Sequence, residues 1–533
     1  MKNNILHQPF SRRHFLGSAL AGAALASAPL ARSATGDPLA TLPQGRIRGI
    51  TQDGVHIFKG IPYGGDTRHF RFKPAPAVAN WRGIRDASDY GASAPQLHTQ
   101  EPISEDCLFL NVWTPGLRDK AKRPVIVYIH GGGYTDSSGS NPVTEGSHLA
   151  LRGDVVVISV NHRLNLFGYL FLAKTGGDTY RYSGNIGQLD LILALQWVRQ
   201  NVAEFGGDAN NVTLIGESGG GAKISTLMAM PAAAGLFHKA VTLSGQQVTA
   251  AGPRAATQRA EWFLSGLNLK PADTDKLLEL PVEALLDASR IRDLSRIEDR
   301  PLEFLPVFDN VSLLQHPFYP EAPAQSANIP MIISNTRWET RSFSRRDSGD
   351  FDLQWQQLPG RLLTSQYVDI DPEVVVAEYR RLYPDFSPSE VFFAATTAGR
   401  SWRGAIIQAE ARARQKSSAY VYQFDWLSPD DGKKFGGGHG TDLPLIFDNA
   451  TKSRLSVGAL PEAQKVADQL SGCLLAMAKT GKPNHPGIPD WKPYTLENRE
   501  TLVVNNTSRI VNDPRGAERR FYAQAPFVQR GTF

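Results

Sequence analysis

Two cysteines in 533 residues are too few to build a disulfide framework. Neither they nor the twelve histidines gather at zinc-ligand spacing, and the glycine-rich loops lack the Walker lysine-serine pair that a phosphate site would use. No Pro/Ser-rich linker and no internal repeat interrupts the chain. Charge of one sign is scarce as well. Of the formal +5, four units belong to Lys2, Arg12, Arg13 and Arg32, which no acid accompanies within residues 1–34, so the remainder carries about +1. Basic stretches such as Arg290-Ile291-Arg292 alternate with acids in the way of a solvated face, which leaves no footprint for nucleic acid. The longest weakly apolar run, rich in Ala, Gly and Leu and ending at Ala31, is too short and too polar for a stable membrane span.

Glycine, by contrast, is abundant and clustered. The segment GESGGGAK at 216–223 follows the apolar run Asn211 to Ile215 and leads into a helix-compatible stretch, Ala222 to Met230. A serine between small residues on a sharp strand-to-helix turn is a nucleophile elbow, where Gly216, Gly219 and Gly220 give the backbone room and leave the Ser218 hydroxyl projecting. A second cluster, HGGGY at 130–134, follows the strand-like run Val125 to Ile129. Consecutive glycines turn their N–H groups toward one point, as the developing oxyanion of acyl transfer requires. The expected oxyanion hole is therefore the N–H groups of Gly132, Gly133 and Gly219, the last at the positive end of the helix after Ser218.

These segments resemble the type B carboxylesterase family, the para-nitrobenzyl esterase and cholinesterase-like branch of the α/β-hydrolases. The resemblance extends through SEDCLFLNVWTP at 104–115, NHRLNLFGYL at 161–170, the run at 184–220 and FGGGHGTDLPLIF at 435–447, over roughly residues 40 to 495. It implies a general base in the loop GGGHGTDLP, hence His439, which follows serine and acid in the order of that fold. His130 then belongs to the oxyanion loop in a structural role, and His162 to the packed core. For the orienting acid the resemblance implies Glu339 in IPMIISNTRWET, with Asp309 or Asp442 as the fallback, because Arg337-Trp338-Glu339-Thr340 departs from the family's Asp-Glu-Gly pattern. Glu217 precedes the nucleophile as in the family and either holds water or substrate or shapes the elbow. Ser244, in LSGQ, resembles a serine that supports the triad. Ala94 stands where family members with a first disulfide place the partner of Cys107, so both Cys107 and Cys473 are expected as buried thiols.

The expected reaction is ester hydrolysis through an acyl-enzyme on Ser218, with His439 as base and then acid, and with no metal or organic cofactor. The alternatives are a hydrolase of the same fold acting on amides, carbamates or lactones, and a non-catalytic cholinesterase-like binding protein. The partner is a small-molecule ester. The loop at 96–106 carries no tryptophan to face a quaternary ammonium, which disfavours choline esters. Arg337, Arg341, Arg345 and Arg346 form either a solvated loop or a magnet for a carboxylate-bearing ester. Trp338, Phe343, Phe392 and Trp402 are candidates for core or for an apolar acyl pocket.

Interleaved strand and helix signals predict one α/β-hydrolase domain over 35–533, with a large, mostly parallel sheet covered by helices on both faces. Strands are expected at 124–130, 154–160, 211–216, 239–244, 330–334, 419–425 and 501–505, a helix at 187–203, and a variable helical cap and gorge wall over about 250–415. Ahead of the domain, Ser11-Arg12-Arg13-His14-Phe15-Leu16 and the run to Ala31 read as a twin-arginine signal peptide over 1–34, cleaved between about 28 and 37. Export by the twin-arginine machinery to the periplasm or beyond is the matching expectation.

Overall fold

In the strand Arg123–Ile129, Val125, Val127 and Ile129 enter one buried apolar cluster while Ile126 and Tyr128 enter another. Successive side chains of a strand point to opposite faces, so a strand covered on both sides reads as an unbroken apolar run. Val156, Ile158 and Val160 against Val157 divide in the same way. The helix Ile186–Asn201 covers one face with Leu191, Leu195 and Val198, and the helix Pro461–Thr480 covers the other with Val466, Leu470, Leu474 and Met477.

The computed structural model describes residues 36–295, 300–345, 347–428, 436–452 and 461–529. The expected signal peptide and Arg346 lie outside the described residues. Asp37–Phe533 form one compact unit. Its strands are β1 (Leu39–Leu42), β2 (Gly45–Arg48), β3 (Ile50–Gln52), β4 (Val55–Pro62) and β5 (Ile84–Asp86). There follow β6 (Phe109–Thr114), β7 (Arg123–Ile129), β8 (Val156–Val160), β9 (Gly207–Glu217) and β10 (Lys239–Leu243). The last are β11 (Met331–Thr336), β12 (Ala419–Phe424), β13 (Glu500–Val504) and β14 (Arg509–Asn512). β1, β2 and β5 make a small separate sheet, and the others form an 11-stranded sheet in the order β14-β13-β12-β11-β10-β9-β7-β8-β6-β4-β3.

The strands from β13 to β8 are mutually parallel, whereas β14 on one flank and β6, β4 and β3 on the other run antiparallel to their neighbours. The seven strands expected from the sequence are the seven parallel ones. The expected helix at 187–203 is Ile186–Asn201 with a 3₁₀ turn after it. The segment 250–415 holds the helices Pro253–Gly266, Pro372–Leu382, Pro388–Thr397 and Arg403–Arg414, but β11 passes through its middle as an internal strand, so the segment is shared between sheet and surroundings.

Register brings the site together. Ile129 lies level with Gly216, Glu217 with Leu243, and Leu243 with Ser334. The residues that follow the carboxyl ends of β7, β9, β10 and β11 therefore meet at one edge of the sheet, the usual ligand-binding edge of open α/β folds.

Candidate active site

Ser218 sits between β9 and the helix Gly219–Leu227 with φ 53° and ψ −122°, a left-handed backbone rare for a residue with a side chain. Its own N–H donates to Leu243 O at 2.7 Å, which fastens the turn to β10. A side chain at Gly219 would press into the Gly133 carbonyl, and one at Gly220 into the Ile129 carbonyl, so the elbow and the glycine loop touch backbone to backbone. Ser218, Gly133 and Gly219 share the wall of a cavity of about 140 Å³ with Tyr134, Ser244 and Arg400. Gly132 has φ 73° and does not reach that wall. Among the described residues, no protein acceptor takes the N–H of Gly132 or Gly133.

His439 and Glu339, a hundred residues apart, are laced by backbone bonds: Trp338 N–H donates to Gly437 O and His439 N–H to Glu339 O, both at 3.1 Å. This brings His439 Nδ1 into a hydrogen bond with Glu339 Oε2. The other oxygen of Glu339 accepts from Thr336 N–H at 2.8 Å and Asn335 Nδ2 at 3.2 Å. Burial pushes the Glu339 carboxyl up, but the imidazole, its hydrogen bond, the Ser244 hydroxyl and the Thr336 N–H together hold it below the ordinary range. Ser244 faces this carboxylate without completing a hydrogen bond of good geometry.

The other ring nitrogen, Nε2, lies 3.1 Å from Glu217 Oε1, though the approach lacks hydrogen-bond geometry and leaves both atoms without a bonded partner. Burial, aided by Asp442 and Glu339, raises Glu217 to about 7. Burial opposes charge on His439, yet Glu217 and Glu339 outweigh it and lift the imidazole above its ordinary value. Among the described residues no hydrogen bond joins Ser218 Oγ to the ring. The imidazole is instead turned to the residue that precedes the serine, inside the same site and one-tenth exposed.

Neither fallback acid is hydrogen-bonded to the imidazole among the described residues. Asp309 caps a turn, its Oδ1 accepting from the N–H groups of Val311, Ser312 and Leu313 at 2.9 Å each. Asp442 takes a hydrogen bond from the Tyr422 hydroxyl at 2.7 Å and is raised to about 6 by burial. His130 and His162 are buried and stacked with ring centroids 4.8 Å apart, and Cys107 and Cys473 are buried free thiols. Trp338, Phe392 and Trp402 belong to one apolar cluster, while half-exposed Phe343 packs at a tilt against His439 with centroids 4.9 Å apart.

The arginine loop disperses. Arg337 pairs with Glu518 at 3.3 Å, Arg341 lies over Trp338 at 4.1 Å, and exposed Arg345 pairs with Asp347 at 2.9 Å. The cation that lines the cavity is Arg400, in a π-helical turn over Ala398–Trp402 and 3.8 Å from the Phe343 ring centre. Nothing in the surrounding TAGRSW marks it, and π turns cluster at functional sites without a sequence signature. Lys223 is the other residue that motif reading passed over, although a lysine amid the apolar residues of a buried helix is itself a signal.

The model of the family described as "Carboxylesterase family" matches residues 36–522. The chain belongs to the carboxylesterase family. This esterase is 34% identical over 504 residues to para-nitrobenzyl esterase of Bacillus subtilis, an alignment that covers 90% of this chain and 98% of that protein. It is 32% identical to phenmedipham hydrolase of Pseudarthrobacter oxydans, across 88% and 95% of the two chains. Among solved structures, carboxylesterase EST55 of Geobacillus stearothermophilus superimposes with a TM-score of 0.80 at 33% identity, across 91% of this chain and 99% of that one. The esterase is accordingly a carboxylic ester hydrolase of α/β-hydrolase fold. No helix among its described residues is long and apolar enough to cross a membrane.

Proposed function

We propose that this esterase hydrolyses carboxylic esters of small molecules through an acyl-enzyme on Ser218, with His439 as general base and acid and Glu339 as the carboxylate that orients the ring. The observation that carries the reading is the bridge from Glu339 through His439 to the residue beside the strained serine. With Nδ1 held by Glu339, Nε2 is the nitrogen free to take the Ser218 proton once the ring swings from Glu217 toward Oγ. Ser218 then attacks the ester carbonyl. The N–H groups of Gly132, Gly133 and Gly219 receive the oxyanion, the alcohol leaves with the proton from His439, and water activated by the same ring releases the acid.

Stoichiometric labelling of Ser218 by an organophosphate, together with loss of p-nitrophenyl ester turnover in Ser218→Ala by about a million-fold, is the expected result. Turnover surviving in that variant would overturn the assignment. A panel of esters against matching amides then reads the leaving-group preference.

Export by the twin-arginine route to the periplasm belongs to the same proposal, supported by Arg12-Arg13 and the weakly apolar run that follows. Replacing both arginines by lysine is expected to leave the activity in the cytoplasmic fraction of the producing cell. Unchanged export would refute that part alone.

A further inference from the structure

Lys223 is fully buried on the helix that begins just after Ser218. Its Nζ donates to His130 O at 3.0 Å and lies 3.5 Å from Gly131 O. It makes no ion pair among the described residues, and its ammonium stands 5.6 Å from the Tyr134 ring centre. Burying an ammonium without a close carboxylate is costly, and a methionine of similar length would fill the same space without that cost. The two carbonyls it meets are those at the start of the glycine loop.

Peptide planarity makes this contact directional. In a trans peptide the C=O of one residue and the N–H of the next point opposite ways. Holding the Gly131 carbonyl toward Lys223 therefore turns the Gly132 N–H away from the helix. The next peptide is held by a turn, because Gly132 O accepts from Thr135 N–H at 3.0 Å and Asp136 N–H at 3.1 Å, which turns the Gly133 N–H in its own fixed direction. Among the described residues neither of these N–H groups has a protein acceptor.

We propose that Lys223 is a positioning residue for the oxyanion hole, its ammonium pinning the His130 and Gly131 carbonyls from inside the core so that the start of the glycine loop is fixed before substrate arrives. This rests on the reading of Ser218 and the glycine loop as the reacting centre. Donors fixed in advance stabilise an oxyanion without reorganising, and that is where their value lies. The groups facing the ammonium are Asp136 and Glu217, which favour its charge, and the imidazoles of His130 and His162, which burial and the Lys223 charge keep neutral. Burial brings Lys223 down to about 7, so its hold on the carbonyls weakens above neutrality as the ammonium becomes an amine.

The test compares Lys223→Met and Lys223→Arg with the native esterase, active sites being counted by organophosphate titration. Two inhibitors are used: a trifluoromethyl ketone, which adds to the serine and forms an oxyanion, and the matching ether, which does not. Lys223→Met is expected to lower kcat per titrated site by about 10 to 100-fold and to weaken the ketone by a similar factor, with KM and ether binding within about twofold. Lys223→Arg, which keeps the cation, should recover part of both losses. A kcat per site and ketone affinity equal to the native values would overturn the proposal, as would equal loss of ketone and ether binding. Should Lys223→Met fail to fold, Lys223→Gln, which keeps a neutral donor, is judged by the same two ratios. Failure of Ser218 to label would refute the reacting centre itself, a result distinct from labelling that proceeds while the ketone ratio stays flat.

Discussion

Replacing Glu217 by glutamine removes a carboxylate from beside His439 Nε2 while keeping its shape. At 3.1 Å a full charge pair in a medium of effective dielectric constant about 20 is worth about 5 kcal/mol. That is a ceiling. Burial raises Glu217 itself to about 7, so the carboxylate is charged only part of the time over the range in which the imidazole titrates. The surviving effect is smaller than this and keeps its direction, upward on the imidazole. Its sign follows from the proposed role of the ring: a general base acts as neutral His439, Glu217 favours the protonated ring, and losing Glu217 lowers the pKa. The acid limb of kcat/KM, measured with a neutral p-nitrophenyl ester from about pH 5 to about pH 9, must therefore move to lower pH in Glu217→Gln. A limb that stays in place, or moves upward, would show that the ring does not feel this carboxylate and that Glu217 only shapes the elbow.

Three further outcomes are expected. Glu339→Gln should cost about 10⁴-fold in kcat with the fold intact, because a glutamine amide can donate to Nδ1 and so favour the wrong tautomer; a loss under tenfold would remove Glu339 from the triad. Asp190→Asn breaks the fully buried pair with Arg163, whose Nη1 also holds the Phe70 and Lys73 carbonyls, and should destabilise the protein by about 3–5 kcal/mol in urea unfolding, against which a change below 1 kcal/mol would count. Burial pushes both Cys107 and Cys473 thiols upward, so a disulfide reagent at about pH 8 should label neither in the native protein and both in denaturant; rapid native labelling would place one of them nearer the surface.

What the sequence disclosed was what local backbone chemistry demands. Gly219 is glycine because another backbone occupies the place of its side chain, and such a need leaves a readable motif. The parallel strands were legible for a related reason: residues 125–129 of β7 and all of β8 are buried on both faces and read as short apolar runs rich in β-branched residues. The antiparallel flank was not. β3 has three residues, two of them exposed, and three residues carry no period. Contacts made across long separations were equally silent. Nothing local to Arg337–Glu339 shows that it will be laced to Gly437–His439, and nothing in a run of four arginines shows that one meets Glu518, another Trp338, while Arg400 takes the place by the serine.

The same distinction explains why three carboxylates around one imidazole do not share one role. Glu217, Glu339 and Asp442 each influence His439, and like charges so close cannot all ionise freely. Environment sorts them. Glu339, fully buried, is held ionised by two donors at one oxygen and the imidazole at the other. Glu217 has no hydrogen bond at Oε1 and rises to about 7, and Asp442, with one tyrosine donor at Oδ2, rises to about 6. Of the three, only Glu339, with donors at both oxygens, is held below the ordinary carboxylate range, and it is the one bonded to the ring at Nδ1. Glu217, raised to about 7 by burial beside Nε2, favours the protonated ring while it is charged.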